Sequence, residues 1–317
     1  MSVVRVVFLG TPDIAAFCLE SMLSDEHFKI VGVVSQPDRA SGRKLKLHPS
    51  PVKELALAHH LPLMTPENFK DSEVLNQISS WKAEAAVVVA YGQILPQAFL
   101  DLYPMNVVNI HTSLLPRWRG AAPIQRAIMA GDRKTGVCLQ VMVKKLDAGD
   151  VIGKRSVDIH EDMDAVELLE RMKPLASDLL HVEFMDYLRG NLVPHPQDES
   201  LVTYAKKVEN EESLIDWNLS AREIRNRMRG LALGRGIYTW HDHKKLKLTK
   251  TQVVSNKMPA EPGEVVVVGS DYFEVATGGG ILRVSGVQPE SRSQMGVDAY
   301  LRGYTLKVGD RLGEHSF

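Results

Sequence analysis

Cysteine is nearly absent from the 317 residues: Cys18 and Cys138 stand far apart and make no C-x-x-C pair. That excludes a disulfide framework and a zinc ribbon, and points to a reducing cytoplasm. No stretch approaches the roughly 20 consecutive apolar residues that span a bilayer. The opening MSVVRVVFLGTPD is broken by Arg5 and ended by Gly10 and Pro12, so it reads as a first strand rather than a secretion signal. Net charge is only −1, which excludes a protein coated with basic residues. Internal repeats and low-complexity tracts are lacking. The first strand runs into G-T-P-D-I-A, without the G-x-G-x-x-G turn of nicotinamide dehydrogenases, and G-R-K-L-K-L lacks the Gly-Lys-Ser/Thr ending of a phosphate-binding loop.

What is present describes a packed globular chain, 44% hydrophobic and 24% charged, longer than one core usually serves. Short β-branched runs at 3–9, 29–35, 61–65, 84–91 and 106–114 have strand length, and their near-continuous apolarity marks buried parallel strands. Helical segments lie between them: Ile14–Leu23, Val52–His60 behind the N-cap pair Ser50 and Pro51, and Glu73–Trp81. This alternation predicts a doubly wound α/β sheet. GVCLQVMV and VIGKRSVDI then flank a tight loop, Asp164–Leu188 reads as a long amphipathic helix, and NLVPHPQDESLVTYAKK has no sustained period. The expected division is a catalytic domain at 1–189, a linker at 190–207 and a smaller domain at 208–317. In that last part Ser220 and Glu223 form a capping box, followed by short strands that predict a small β-barrel of the oligonucleotide-binding type.

Residues 109–120 read N-I-H-T-S-L-L-P-R-W-R-G at the end of a predicted central strand. Side chains alternate along a strand, so Asn109 and His111 share a face at the carboxyl edge, where open α/β sheets bind ligands. Asp147, in L-D-A-G-D, offers a carboxylate on the loop after the next strand, with Asp150 as its competitor. Ser113 lacks a G-x-S-x-G elbow, which disfavours a serine hydrolase. No third metal ligand stands at a recognisable spacing from His111 and Asp147. His241-x-His243 sits among Asp242, Lys244 and Lys245 and reads as a hairpin turn rather than a metal pair.

Asn-x-His, S-L-L-P-x-aromatic-R-G and a downstream Asp-x-Gly are the shared pattern of the folate-dependent formyltransferases, which the chain resembles through Asn109, His111, Ser113–Gly120 and Asp147. Gly10–Pro12, Ser35–Arg39, Pro49–Lys53, Val88–Gly92 and Gly120–Ile124 narrow the resemblance to members acting on methionyl-tRNA. It implies a Rossmann-like formyltransferase domain and an OB-like second domain. The implied activity is transfer of a formyl group from 10-formyltetrahydrofolate to the α-amino group of methionyl initiator tRNA; no metal is expected, and a monomer is the default expectation. Asn109, His111 and Asp147 would be catalytic. Val88, Val89, Ala90, Tyr91, Gly92, Gln93 and Ile94, with Ser113, Leu114, Leu115 and Pro116, would line the folate pocket, with Leu95 and Ile124 as apolar walls.

The chemistry agrees with that implication. An amine attacking a formyl carbon creates a tetrahedral centre with a negative oxygen, which an Asn109 amide can stabilise. An imidazole titrates near neutral pH, so His111 can donate to the oxyanion or accept the amine's proton, and Asp147 can fix the ring or order a water.

Charge distribution separates tRNA from a small amine substrate. Arg39–Lys53 carries five basic residues and no acid, and 222–250 carries nine Arg or Lys against Glu223 and Asp242. Arg39, Arg43, Lys44 and Lys46 are expected to meet acceptor-stem phosphates, Arg43 after Gly42 matching the family's loop arginine. Lys206, Lys207, Arg222, Arg225, Arg229 and Lys244–Lys250 are expected to extend that track. The L-A-L-G-R-G-I-Y-T-W segment departs from the family's usual prolines and Gly before Thr-Trp. The rivals are a formyltransferase for another amine, a hydrolase releasing formate, and a noncatalytic RNA-binding protein.

Overall fold

A computed structural model describes residues 3–41, 46–255 and 260–313. Its contacts divide the chain into two units. The first takes the chain to Pro123, then Lys134–Asp158 and Leu169–Ala205; the second takes Ile124–Arg133, Ile159–Leu168 and the chain from Lys206 onward.

The apolar runs of the first unit become β1 (Val4–Gly10), β2 (Phe28–Val34), a ribbon of β3 (Arg39–Ser41) and β4 (Lys46–His48), β5 (Leu63–Met64), β6 (Ala85–Val89) and β7 (Val107–His111). β8 (Arg119–Gly120), β9 (Lys134–Val141), β10 (Val151–Asp158) and β11 (Tyr204–Ala205) follow. Seven strands form one sheet in the order β10-β9-β7-β6-β1-β2-β5, parallel from β5 to β7 and antiparallel through β9 and β10. Helices α1 (Asp13–Leu23), α2 (Pro51–Ala58), α3 (Ser72–Ser80) and α4 (Gln97–Leu100) lie between the parallel strands. Ser50 caps α2 as expected, its hydroxyl accepting from the Lys53 N–H at 3.0 Å ahead of Pro51.

This order places a topological switch point between β1 and β6: the chain builds outward from β1 through β2 to β5, then returns to lay down β6 and β7 on the other side. The two loops at that point are tied together, Thr11 Oγ1 donating to the Tyr91 carbonyl at 2.8 Å.

The long helix is divided into α6 (Ala165–Leu179), a wider turn at Leu180–Phe184 and α7 (Met185–Leu188). A polar cluster joins it to the end of α1. The Asp25 carboxylate accepts from the His27 backbone N–H at 2.9 Å, is bonded to His27 Nδ1 at 2.7 Å and to His181 Nδ1 at 2.6 Å, while His181 Nε2 meets Ser21 Oγ at 2.5 Å. Burial alone would raise the Asp25 carboxyl, but these hydrogen bonds and the His181 charge outweigh it and hold the group below the usual carboxylate range. A carboxyl held low in the folded state stabilises above its unfolded pKa and loses that contribution as pH falls through the folded value. Asp25→Asn is therefore expected to lower Tm by about 2–4 °C near neutral pH. Parallel melts should show the deficit closing as the pH drops below about 4; a deficit that persists there would assign it to packing.

The segment expected as a linker, 190–207, is bonded into the first unit as far as Ala205. His195 and Val151 exchange backbone bonds of 2.8 and 2.9 Å, the Arg119 N–H donates to the Thr203 carbonyl at 2.9 Å, and β11 pairs in parallel with β8. Order supplied by backbone hydrogen bonds leaves no side-chain period to read.

In the second unit, α5 (Pro123–Met129, from Ile124) and α8 (Ala221–Leu231) accompany β12 (Ile237–His241), β13 (Lys244–Ser255), β14 (Val265–Val268), β15 (Phe273–Thr277), β16 (Gly280–Pro289) and β17 (Met295–Gly296), with α9 (Val297–Leu301) last. The sheet is antiparallel in the order β12-β13-β16-β15-β14, with β17 on β16. The barrel of oligonucleotide-binding type goes further than this, since no ladder joins β12 to β14 among the described residues. Trp217, Ile224, Leu248, Phe273 and Val284 stand in its core. The capping box holds: the Glu223 N–H donates to Ser220 Oγ at 3.2 Å and the Ser220 N–H to the Glu223 carboxylate at 2.9 Å. Asp242 and His243, at φ 50° and 59°, form the two-residue turn between β12 and β13 that the sequence predicted.

One expectation is corrected here. Arg225 and Arg229 are buried rather than part of an exposed basic face. Arg225 donates to the Glu161 carbonyl at 2.9 Å and pairs with Asp162; Arg229 donates to the His160 and Met163 carbonyls at 3.1 and 2.9 Å and to Asn226 Oδ1 at 2.6 Å. Helical spacing separates a basic stripe from an apolar one, but does not reveal that another segment covers that stripe with acceptors.

Candidate active site

Asn109 and His111 leave the carboxyl end of β7 on one face, as alternation requires, both largely buried at 9% and 6% exposure. Asn109 stands in register between Val88 of β6 and Gln140 of β9. His111 is oriented from one side by a bond of 2.9 Å between Nε2 and the Trp118 carbonyl. A carbonyl only accepts, so Nε2 carries the proton and Nδ1 is the nitrogen left for chemistry. Nδ1 faces Asp147, whose Oδ2 lies 3.7 Å away, beyond a direct hydrogen bond but within ion-pair reach.

The structure thus brings together the three residues expected to be catalytic, and places Asp147 rather than Asp150 beside the histidine. Asp147 Oδ2 accepts from the Gly120 N–H at 2.8 Å and Oδ1 from Gln140 Nε2 at 3.1 Å. Gln140 escaped the sequence reading, although its register opposite Asn109 follows once β9 is paired antiparallel to β7. The loop depends on Gly149, where a Cβ would stand 1.7 Å from the Val141 carbonyl. Gly120, at φ 125°, leaves only 2.6 Å between an added Cβ and the Ala205 carbonyl. Ala90, Trp118 and Asp147 are non-glycine residues at φ 45°, 66° and 46°, a left-handed conformation that costs energy and gathers at functional sites.

Ser113 is fully buried and donates to the Arg117 carbonyl at 2.7 Å, so its hydroxyl is spent on the turn. Burial pushes the Cys138 thiol up to about 11 and the Cys18 thiol up to about 12, leaving no thiolate at neutral pH. Among the described residues no three His, Cys, Asp or Glu side chains gather as a metal site.

The residues expected to hold folate sort by environment. Val88 and Val89 are core strand positions, and Tyr91 is buried with its phenol raised by desolvation. Ala90, Gly92 and Ile94 are exposed on the switch-point loop. Gln93 braces that loop, donating to the Pro66 carbonyl and accepting from the Phe69 N–H, each at 2.9 Å. Leu114 and Pro116 are half-buried and Leu115 is buried, its N–H donating to Cys138 Sγ at 3.3 Å. Leu95 packs against the first unit's core, and Ile124 belongs to the second unit.

Of the basic residues, Arg39 is exposed on the β3–β4 ribbon and donates to Gln36 Oε1 at 3.0 Å; Gln36 donates in turn to the Tyr91 carbonyl at 3.1 Å. Arg43 and Lys44 lie outside the described residues, as does the side chain of Lys46. Lys206 and Lys207 are exposed, their carbonyls accepting from Arg126 at 3.0 and 2.9 Å.

Among the described residues no helix is long and apolar enough to cross a membrane. A family model described as formyl transferase matches residues 4–182, and one described as the formyl transferase C-terminal domain matches 207–305. The methionyl-tRNA formyltransferase of Bdellovibrio bacteriovorus is 56% identical over 317 residues, 99% of this chain and 100% of that one. That of Bacillus subtilis is 38% identical over 310 residues, 98% of each. Among solved structures, an N-formyltransferase from Helicobacter canadensis, in complex with folinic acid and dTDP-3-aminofucose, superposes with a TM-score of 0.65 at 16% identity, covering 90% of this chain and 99% of that one. The chain belongs to the methionyl-tRNA formyltransferase family of formyl transferases.

Proposed function

We propose that this chain transfers the formyl group of 10-formyltetrahydrofolate to the α-amino group of methionyl initiator tRNA in the cytoplasm, with catalysis by Asn109, His111 and Asp147. The observation that carries the reading is His111, held through Nε2 by the Trp118 carbonyl with Nδ1 turned to Asp147 3.7 Å away. Likeness over nearly the whole chain to enzymes named for methionyl-tRNA supports the substrate.

In the reaction the amine nitrogen forms a bond to the formyl carbon, the carbonyl pair moves onto oxygen, and the bond to folate N10 then breaks. The amine loses one proton and N10 gains one. Asn109 donates an amide N–H to the developing oxyanion. His111 accepts the amine's proton at Nδ1 and returns it toward N10; the Asp147 carboxylate stabilises the imidazolium in between. The folate is assigned to Val88–Ile94 and Ser113–Pro116, a reading supported by the switch point and the exposure of Ala90 and Gly92. The acceptor arm is assigned to Arg39, Arg43, Lys44 and Lys46 on the ribbon and to Lys206 and Lys207. Catalysis falls to the first unit, and the second provides further surface for the tRNA.

The test is transfer of labelled formyl from 10-formyltetrahydrofolate to methionyl initiator tRNA, with elongator methionyl-tRNA and free methionine in parallel. Labelling confined to the initiator is expected. Formate release, or labelling of a small amine alone, would overturn the substrate.

A further inference from the structure

Gln197 lies in the aperiodic stretch between the long helix and β11. Its amide is oriented without ambiguity. Arg119 only donates, and its Nε and Nη2 reach Gln197 Oε1 at 3.0 and 2.8 Å; Nε2 therefore faces the other way, donating to the carbonyls of Asp147 at 2.8 Å and Gly149 at 2.7 Å. Arg119 is fully buried and held in turn by Glu199 at 2.8 Å. The two hydrogens of one amide thus pin the carbonyls on either side of Ala148, in a loop where Asp147 occupies a left-handed conformation at φ 46°. Gln140 and the Gly120 N–H aim the carboxylate, but neither holds its main chain.

We infer that Gln197 is a positioning residue for Asp147: it clamps the backbone that carries the carboxylate, so that Oδ2 stays opposite His111 Nδ1. The inference rests on the proposed role of Asp147, and its test separates the two.

Gln197→Glu keeps the acceptor for Arg119 but turns an oxygen toward two carbonyl oxygens; Gln197→Met keeps the length and removes both donors. Each is expected to lower the single-turnover rate of formyl transfer by about 10²-fold, the scale of a misplacement near 1 Å. KM for methionyl-tRNA should stay within about twofold of the parent, because the clamp serves the chemical step rather than binding. Rates are taken per folded molecule, the folded fraction read from circular dichroism.

The decisive comparison repeats Gln197→Glu in an Asp147→Asn background. If Gln197 acts through the Asp147 carboxylate, the second substitution changes the rate less than about threefold there. The same 10²-fold loss in both backgrounds, or a Gln197→Met variant with the parent rate, would overturn the inference while leaving Asp147 catalytic. An Asp147→Asn enzyme as fast as the parent would overturn the role of Asp147, and the inference with it.

Discussion

Replacing His111 with alanine is expected to lower the single-turnover rate of formyl transfer by about 10²–10⁴-fold, with the affinity for methionyl-tRNA unchanged. The ring has one nitrogen committed to the Trp118 carbonyl at 2.9 Å, so all its proton chemistry passes through Nδ1. Alanine removes that nitrogen and, in the proposed mechanism, leaves the Asp147 carboxylate without the cation it would stabilise. Asp147 itself stays anchored by Gly120 and Gln140, which confines the damage to the proton path. Added imidazole should restore part of the rate, since a small base can enter the space vacated by the ring. A His111→Ala enzyme within tenfold of the parent would move proton transfer to another group.

The second large effect is expected at Asn109, where alanine should cost about 10²–10³ in the same rate, the range for losing one oxyanion donor. Asn109→Asp tests the direction of the hydrogen bond at nearly constant volume, because a carboxylate offers no N–H to the developing oxyanion and adds repulsion. It should be slower than Asn109→Ala, a ranking that a packing role for the amide would not produce. The two losses should not add: once His111 is gone, removing Asn109 should cost less than in the parent, because both groups serve one transition state.

Much of this site was legible before the fold was seen. Alternation alone set Asn109 and His111 on one face, and the β-branched runs of β1, β2, β6 and β7 marked the parallel sheet whose carboxyl edge they occupy. Asp147 was less secure, because D-A-G-D places two carboxylates three residues apart, and the donors that aim Asp147, the Gly120 N–H and the Gln140 amide, lie on β8 and β9 outside that motif. Gln197 carried no signal: its hydrogen bonds run to backbone carbonyls in a distant part of the chain, and no periodicity encodes them. Arg225 and Arg229 misled for the opposite reason. A clear basic stripe was present, but its partners at 160–163 are main-chain acceptors and the carboxylates of Glu161 and Asp162, which lie outside any pattern on the helix itself.

Those two arginines also say something about how the chain can be divided. The second unit is not the tail of the sequence: it borrows Ile124–Arg133 and Ile159–Leu168, so the polypeptide passes from one unit to the other five times. A fragment beginning at Lys206 would carry α8 without the carbonyls of His160, Glu161 and Met163 and the Asp162 carboxylate to which Arg225 and Arg229 donate, the bonds that tie Ile159–Leu168 to this helix. Conventional truncation or module grafting at the 190–207 stretch therefore removes structural parts from both pieces. Any dissection of this chain must keep Ile124–Arg133 and Ile159–Leu168 with the second unit, although the family model over residues 4–182 counts them with the first.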